Sequence, residues 1–299
     1  MKTCLPPLDW RLISAPDIQY VEPLGEGVFC TCYLINRTHV LRLAKHAEAS
    51  ASLRQEMLLL PHLPGHLDVR IPQIQGAGIR LDTGEQFVFY PLVPGTILGP
   101  EVLSALDLAS RSALARQMAR FATQLHSFPV ETARSCGLKE QDPRRYLPEL
   151  MRRASDALSP RLDADIWQYH RQLAERYFDT LELHSYTPSL LHGDLSPWHF
   201  LADLENCVLT GVIDFGDSLI GDPHWDLIFL LEDYSLDFLD LFLTFYAPET
   251  KLQARTRVQI FQQLSNVEYC LSKLSEGDEQ AVEEAIRTLI TQATTQAVI

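Results

Sequence analysis

Residues 192–200 read HGDLSPWHF, and residues 211–217 read GVIDFGD. The span HFLADLENCVLTGVIDF (199–215) has two apolar runs around Asp203–Asn206, the pattern of a short β-hairpin. Closing that hairpin brings Asp194, His199 and Asp214 toward one locus. A carboxylate beside an acceptor hydroxyl, with a second carboxylate and another ligand for a divalent ion, is the apparatus of phosphoryl transfer. That reaction is catalysed mainly by positioning and charge neutralisation, so it requires no covalent nucleophile.

Upstream of this core, residues 18–45 alternate around Gly25-Glu26-Gly27 and read as strands. Residues 47–60 hold good helix formers without Gly or Pro. VRIPQIQGAGI (69–79) reads as strand and turn, broken by Pro72, Gly76 and Gly78. EQFVFYPLV (85–93) reads as a buried strand stopped by Pro94-Gly95. Beyond residue 100 the spacing is helical: 100–128 as one run, then 143–157 and 161–183. After the hairpin, helices are expected at 223–232, 235–246, 252–275 and 278–296. The fold class is therefore α+β, with a β-rich lobe over 1–90, a hinge at 91–97 and a helical lobe over 98–299. A ligand site is expected between the lobes.

Composition narrows the class further. The 299 residues are 46% hydrophobic and 21% charged, which excludes a disordered chain, a collagen-like fibre and a coiled-coil rod. No apolar run approaches the about 20 residues that span a bilayer, and MKTCLPPLDWRL at the start has no signal-like apolar stretch. The six cysteines lack metal-ligand spacing. Reduced thiols and a cytoplasmic location are the expectation. The net charge is −14, and it is uneven. Residues 191–299 hold 18 acidic and 5 basic side chains, whereas 1–190 hold 21 and 20. Such a C-terminal third repels nucleic acid and attracts a cationic partner.

The pattern H-G-D-L-x-x-x-H followed by I-D-F-G-D resembles the aminoglycoside phosphotransferase family, within the protein-kinase-like bilobal fold. The resemblance implies that Asp194 is the catalytic-loop acid and that Asp214 opens the metal-binding triplet Asp214-Phe215-Gly216. His199 then stands where kinases carry Asn, and with Asp214 it would bind the metal. Mg²⁺ is the implied ion, with Mn²⁺ as the alternative because imidazole is an unusual Mg²⁺ ligand. A histidine there is similar to the 2″-aminoglycoside and macrolide branches. By the same resemblance His192 holds the loop backbone, Asp226 braces it, and Trp198 is expected to pack. Gly25 and Gly27 would lie over nucleotide phosphates, with Cys30 where a third glycine is usual. Arg42 matches the family's strand lysine, with Lys45 the alternative, and Glu56 is its expected helix partner. Tyr90, Leu92 and Val93 lie in the hinge segment that would read the purine of ATP or GTP.

The implied reaction moves the γ-phosphate of ATP or GTP to a hydroxyl of an aminoglycoside antibiotic, conferring resistance. Asp217, Glu232, Asp233 and Asp237 are the substrate-binding candidates. Asp233, Asp237 and Asp240 are expected on one helix face. A macrolide, choline, homoserine or a sugar is the alternative acceptor, and a nucleotide-binding pseudokinase the alternative class. A monomer is expected, acting on a cationic small molecule without nucleic-acid or membrane partners.

Overall fold

The computed structural model describes residues 8, 18–183, 185–247 and 250–296. Period-two alternation folds the first lobe as strands β1 (Val21–Glu26), β2 (Cys30–Ile35) and β3 (His39–Ala44), then β4 (Gly76–Ile79) and β5 (Gln86–Pro91). They form one antiparallel sheet in the order β1-β2-β3-β5-β4. Its two central strands are buried on both faces. Leu41, Leu43, Phe87 and Phe89 fill one side. Val40, Ala44, Val88 and Tyr90 face the other, against Ala49 and Leu53 of helix α1 (Ala47–Leu59). Arg42 shares the parity of Val40 and Ala44, so it too points at α1. Gly76 and Gly78 do not break the chain. They lie inside β4, opposite Phe89 and Phe87, where small residues make room for the rings.

The sheet ends at Pro91. The next short strand, β6 (Thr96–Ile97), pairs with β8 (Phe200–Asp203), which continues to β9 (Val208–Val212). This is the expected hairpin. The Asp203 carboxylate closes its turn by accepting the Glu205 and Asn206 N–H groups at 3.0 and 3.1 Å. A two-stranded sheet of β7 (Ser189–Leu191) and β10 (Leu219–Gly221) flanks it. Around these lie α2 (Pro100–Ala105), α3 (Leu108–His126), α4 (Val130–Ser135), α5 (Pro143–Leu158), α6 (Ala164–Leu183), α7 (Leu236–Tyr246), α8 (Lys251–Glu276) and α9 (Glu279–Gln296). The apolar stripe of α3 supports the hairpin: Phe121 meets Phe200 edge-on at 6.3 Å. A second core joins α5, α6, α8 and α9.

Two expected helices differ. The run 100–128 is split because Leu106 turns extended and Asp107 caps Ser110 N–H at 2.8 Å, which starts α3 afresh. Residues 223–232 are not an α-helix. A 3₁₀ turn (Pro223–Leu227) and a π turn (Leu230–Tyr234) replace it. Asp222 caps the first by accepting the His224 N–H at 3.0 Å, and Ser235, in extended backbone, caps Phe238 N–H and opens α7. Side-chain caps thus override the helical spacing.

Phe121 is 1% exposed beneath the hairpin. Phe121→Ala should lower the unfolding free energy by about 3–5 kcal/mol, read from urea denaturation followed by circular dichroism.

Candidate active site

The loop after β7 is held from behind by one carboxylate. Asp226 accepts the His192 N–H at 2.7 Å on Oδ2 and the Gly193 N–H at 2.8 Å on Oδ1. His126 Nε2 lies 3.0 Å from the same Oδ2, and its Nδ1 lies 2.8 Å from the Tyr246 hydroxyl. Gly193 has φ +87°, and a Cβ there would overlap the Asp217 carbonyl, so the position needs glycine. His192 is fully buried and faces the Ile213 carbonyl through Nε2 at 3.1 Å. Burial pushes its imidazole pKa down, so the ring is neutral and Nε2 carries the proton. It therefore ties the loop after β7 to the residue that follows β9.

That tie places Asp214. Its backbone is left-handed (φ +67°), a conformation costly for a residue with a Cβ unless the surroundings enforce it. Ile213 N–H donates to the His199 carbonyl at 3.0 Å, and the fully buried Phe215 ring packs 4.7 Å from His192. His199 Nδ1 lies 2.8 Å from the Asp194 carbonyl oxygen. A carbonyl only accepts, so Nδ1 bears a proton, and in that tautomer Nε2 presents a lone pair. That Nε2 faces Asp214 Oδ2 at 3.8 Å. Two acceptors turned toward each other suit a cation between them. The structure thus brings Asp194, His199 and Asp214 together.

Arg42 enters from the other lobe. Its guanidinium, almost fully buried, donates through Nη1 to both Glu56 oxygens at 3.2 and 2.9 Å. Through Nη2 it donates to Asp214 Oδ1 at 2.6 Å. Burial opposes ionisation of Asp214, but the charge and hydrogen bond of Arg42 hold the carboxyl below its ordinary range. Burial pushes Glu56 upward against the pull of Arg42. Lys45 sits elsewhere: Nζ donates to the Gly27 carbonyl at 2.7 Å and pairs with Glu26 at 2.8 Å. Helix α1 also grips the triplet, as Ser52 Oγ donates to Gly216 O at 2.9 Å and Gln55 Nε2 to Ser218 O at 2.5 Å.

The remaining expected residues are more scattered. Gly25 lies near the end of β1, opposite Cys32, and Gly27 follows in the turn to β2, where its N–H donates to Cys30 O at 2.9 Å. Tyr90 is buried in the ladder opposite Val40. Leu92 N–H is already engaged, donating to Thr38 O at 2.8 Å, so it is not free to read a purine. Asp217 borders a cavity of about 1110 Å³ beside Gly193 and Gly216. Loss of surrounding water, then the charges of Asp214 and Asp194, push its carboxyl upward. Glu232 and Asp233 lie in the π turn outside this cavity, and Asp237 is exposed in the first turn of α7. Asp237 and Asp240 keep the expected i, i+3 spacing in α7, but Asp233 lies before the Ser235 cap in the π turn and is not on that helix, and Asp240 pairs with Arg255 at 2.9 Å. Trp198 is not packed: it is 57% exposed.

Sequence reasoning missed most of the cavity wall. Glu48, Glu140, Asp142, Glu149 and Glu268 line it with Asp217, against Lys139, Arg145 and Arg153. Only Asp217 and Glu268 of these carboxylates come from the acidic C-terminal third. His126 was also missed. Its signal was a polar residue on the α3 apolar stripe, four after the buried Ala122.

The family model of the phosphotransferase enzyme family matches residues 22–286. The chain belongs to that family. Among solved structures, the GDP and kanamycin complex of APH(2″)-IIIa is similar to this family member, with TM-score 0.87, 34% identity, and coverage of 96% of this chain and 97% of that one. The apoenzyme of macrolide 2'-phosphotransferase MphH from Brachybacterium faecium is similar with TM-score 0.67, 25% identity and coverage of 90% and 91%. A curated relative, the aminoglycoside 3'-phosphotransferase of Streptomyces fradiae, is 30% identical over 130 residues, or 42% of this chain. The match spans about half (47%) of that relative's length. The expected family and fold class are therefore those found.

Arg42→Ala strands Glu56 as a buried, unpaired carboxylate. It should cost about 3–5 kcal/mol of stability in chemical denaturation. Arg42→Met combined with Glu56→Leu removes that buried carboxylate as well and should recover the Glu56 share of the loss, leaving Asp214 without its cation.

Proposed function

We propose that this chain transfers the γ-phosphate of ATP or GTP to a hydroxyl of an aminoglycoside. The observation that carries the reading is Asp194, partly exposed, beside a His199–Asp214 pair and a cavity rich in carboxylates. Asp194 orients the acceptor hydroxyl and takes its proton as the new oxygen–phosphorus bond forms. Arg42 adds positive charge next to Asp214, and Gly25 and Gly27 let the β1–β2 turn approach the phosphates. With Leu92 N–H engaged, the purine edge is left to the Leu92 carbonyl and Val93, beside Tyr90. Residues 91–97 act as the hinge between the nucleotide lobe and the catalytic lobe.

The donor set fits a divalent ion such as Mg²⁺. His199 and Asp214 would hold it, and among the described residues no group of three or more His, Cys, Asp or Glu is placed to do so alone. Phosphate oxygens and water would complete such a shell, as is usual for Mg²⁺. When bound, the ion neutralises charge on the transferring phosphoryl group.

The acceptor follows from charge. A wall of six carboxylates against three cations suits a polycation. A macrolide carries much less positive charge, so the wall favours the aminoglycoside. Kanamycin in the complex of the 34% identical relative supports the same choice. Asp217 serves from the wall itself, and Glu232, Asp233 and Asp237 from the front of the helical lobe. Among the described residues no helix is long and apolar enough to cross a membrane. The five described cysteines are free. Action as a cytoplasmic monomer that confers antibiotic resistance belongs to the same reading.

A coupled assay of nucleoside diphosphate release, with ATP and GTP against an aminoglycoside panel and a macrolide panel, tests the reading. Turnover should appear with aminoglycosides. Asp194→Asn should lower kcat by about 10²–10⁴-fold while nucleotide affinity by calorimetry stays close to wild type. Turnover confined to macrolides, or full activity in Asp194→Asn, contradicts it.

A further inference from the structure

We propose that Trp198 is a specificity-determining contact for the acceptor: its ring is an exposed apolar platform on the loop that carries Asp194, on which one saccharide face of the aminoglycoside rests. The inference rests on the aminoglycoside reading above and names a residue that reading does not use.

Trp198 stands between Asp194 and His199, in the 3₁₀ turn Pro197–His199. The turn is rigid. Pro197 is buried, and His199 N–H donates to Ser196 O at 3.1 Å. The indole is nonetheless 57% exposed, the most exposed aromatic ring among the large hydrophobic side chains of the described residues. Only one edge is seated. A Cβ placed on Gly99 would stand 3.3 Å from Trp198 Cζ3 and 3.6 Å from Cη2. The small residue before α2 therefore makes room for that edge of the ring. An indole fixed along one edge and open to water elsewhere loses little entropy when a ligand covers it.

Its neighbours define what that ligand would be. The turn packs against β6, whose Ile97 is 42% exposed, and against the π turn that carries Glu232 and Asp233. The Asp233 carboxyl is pushed upward by burial and by the charge of Asp194, which puts it within electrostatic reach of the catalytic loop. An apolar ring on a turn that adjoins an acidic turn matches an amino sugar. Its axial C–H face is apolar, and its ammonium groups project from the ring edge, where a carboxylate or the indole face attracts them.

Steady-state kinetics of Trp198→Ala and Trp198→Phe test this with kanamycin as acceptor. Trp198→Ala should raise the kanamycin KM about ten-fold, with kcat and nucleotide KM within about two-fold of wild type. Trp198→Phe should restore most of the loss. The thermal midpoint should not move, since the ring buries little. In a titration of nucleotide-free protein with kanamycin, the tryptophan fluorescence change seen in wild type should shrink in Trp198→Phe, leaving the part that Trp225 of the cavity wall contributes. An unchanged kanamycin KM in Trp198→Ala overturns the proposal, as does an effect that falls on nucleotide KM instead. Wild-type protein that turns over no aminoglycoside overturns the functional reading and this inference with it. Wild-type turnover that Trp198→Ala leaves intact overturns this inference alone.

Discussion

The site depends on one guanidinium. Arg42 comes from β3, Glu56 from α1 and Asp214 from the far end of the β8–β9 hairpin, 172 residues away in sequence. A planar fork can serve two carboxylates at once, which an ammonium does with less directional control. Each carboxylate alone in this setting is costly to bury, and the shared cation makes both tolerable. The consequence is geometric. Sheet, helix and the Asp214-Phe215-Gly216 triplet are tied at one point, with Ser52 and Gln55 adding two hydrogen bonds from the same helix. The left-handed backbone of Asp214 persists because these ties and the packing of Phe215 over-determine it.

A second carboxylate does comparable work from behind. Asp226 takes two successive backbone N–H groups of the catalytic loop, and His126 and Tyr246 fix its direction. The two systems meet at His192, which joins the loop to Ile213 just before Asp214. Asp194, His199 and Asp214 are thus positioned by backbone and buried polar partners, not by exposed side chains. Such a site meets the requirement of phosphoryl transfer, where pre-set geometry and charge carry most of the rate.

Much of this was legible in the sequence because its signals are local. The spacing of Asp194, His199 and Asp214 around a hairpin, the alternation of β1–β3 and the parity of Arg42 each need only a few residues to read. Asp226 could be identified because it follows the triplet at short range. The failures share a cause. Asp107, Asp222 and Ser235 cap and restart the chain, and a side-chain hydrogen bond leaves no trace in apolar periodicity. The cavity wall draws on α1, the segment before α5, α5 itself and α8, so its carboxylates are adjacent only after folding. The acidity of the last third pointed to a cationic partner, but four of the six wall carboxylates lie before residue 191. Trp198 defied expectation because a tryptophan in a tight loop normally buries its ring, whereas the turn beside Gly99 seats only its edge.

These strands converge on one claim: the Asp194 side of the cleft holds a polycationic acceptor against a carboxylate wall. The most direct test is a crystal structure of the protein with kanamycin and a non-hydrolysable nucleotide. The account predicts a kanamycin hydroxyl within hydrogen-bonding distance of the Asp194 carboxylate, with ammonium groups on the acidic wall that includes Asp217. Kanamycin bound away from Asp194, with that wall left facing solvent, would contradict it.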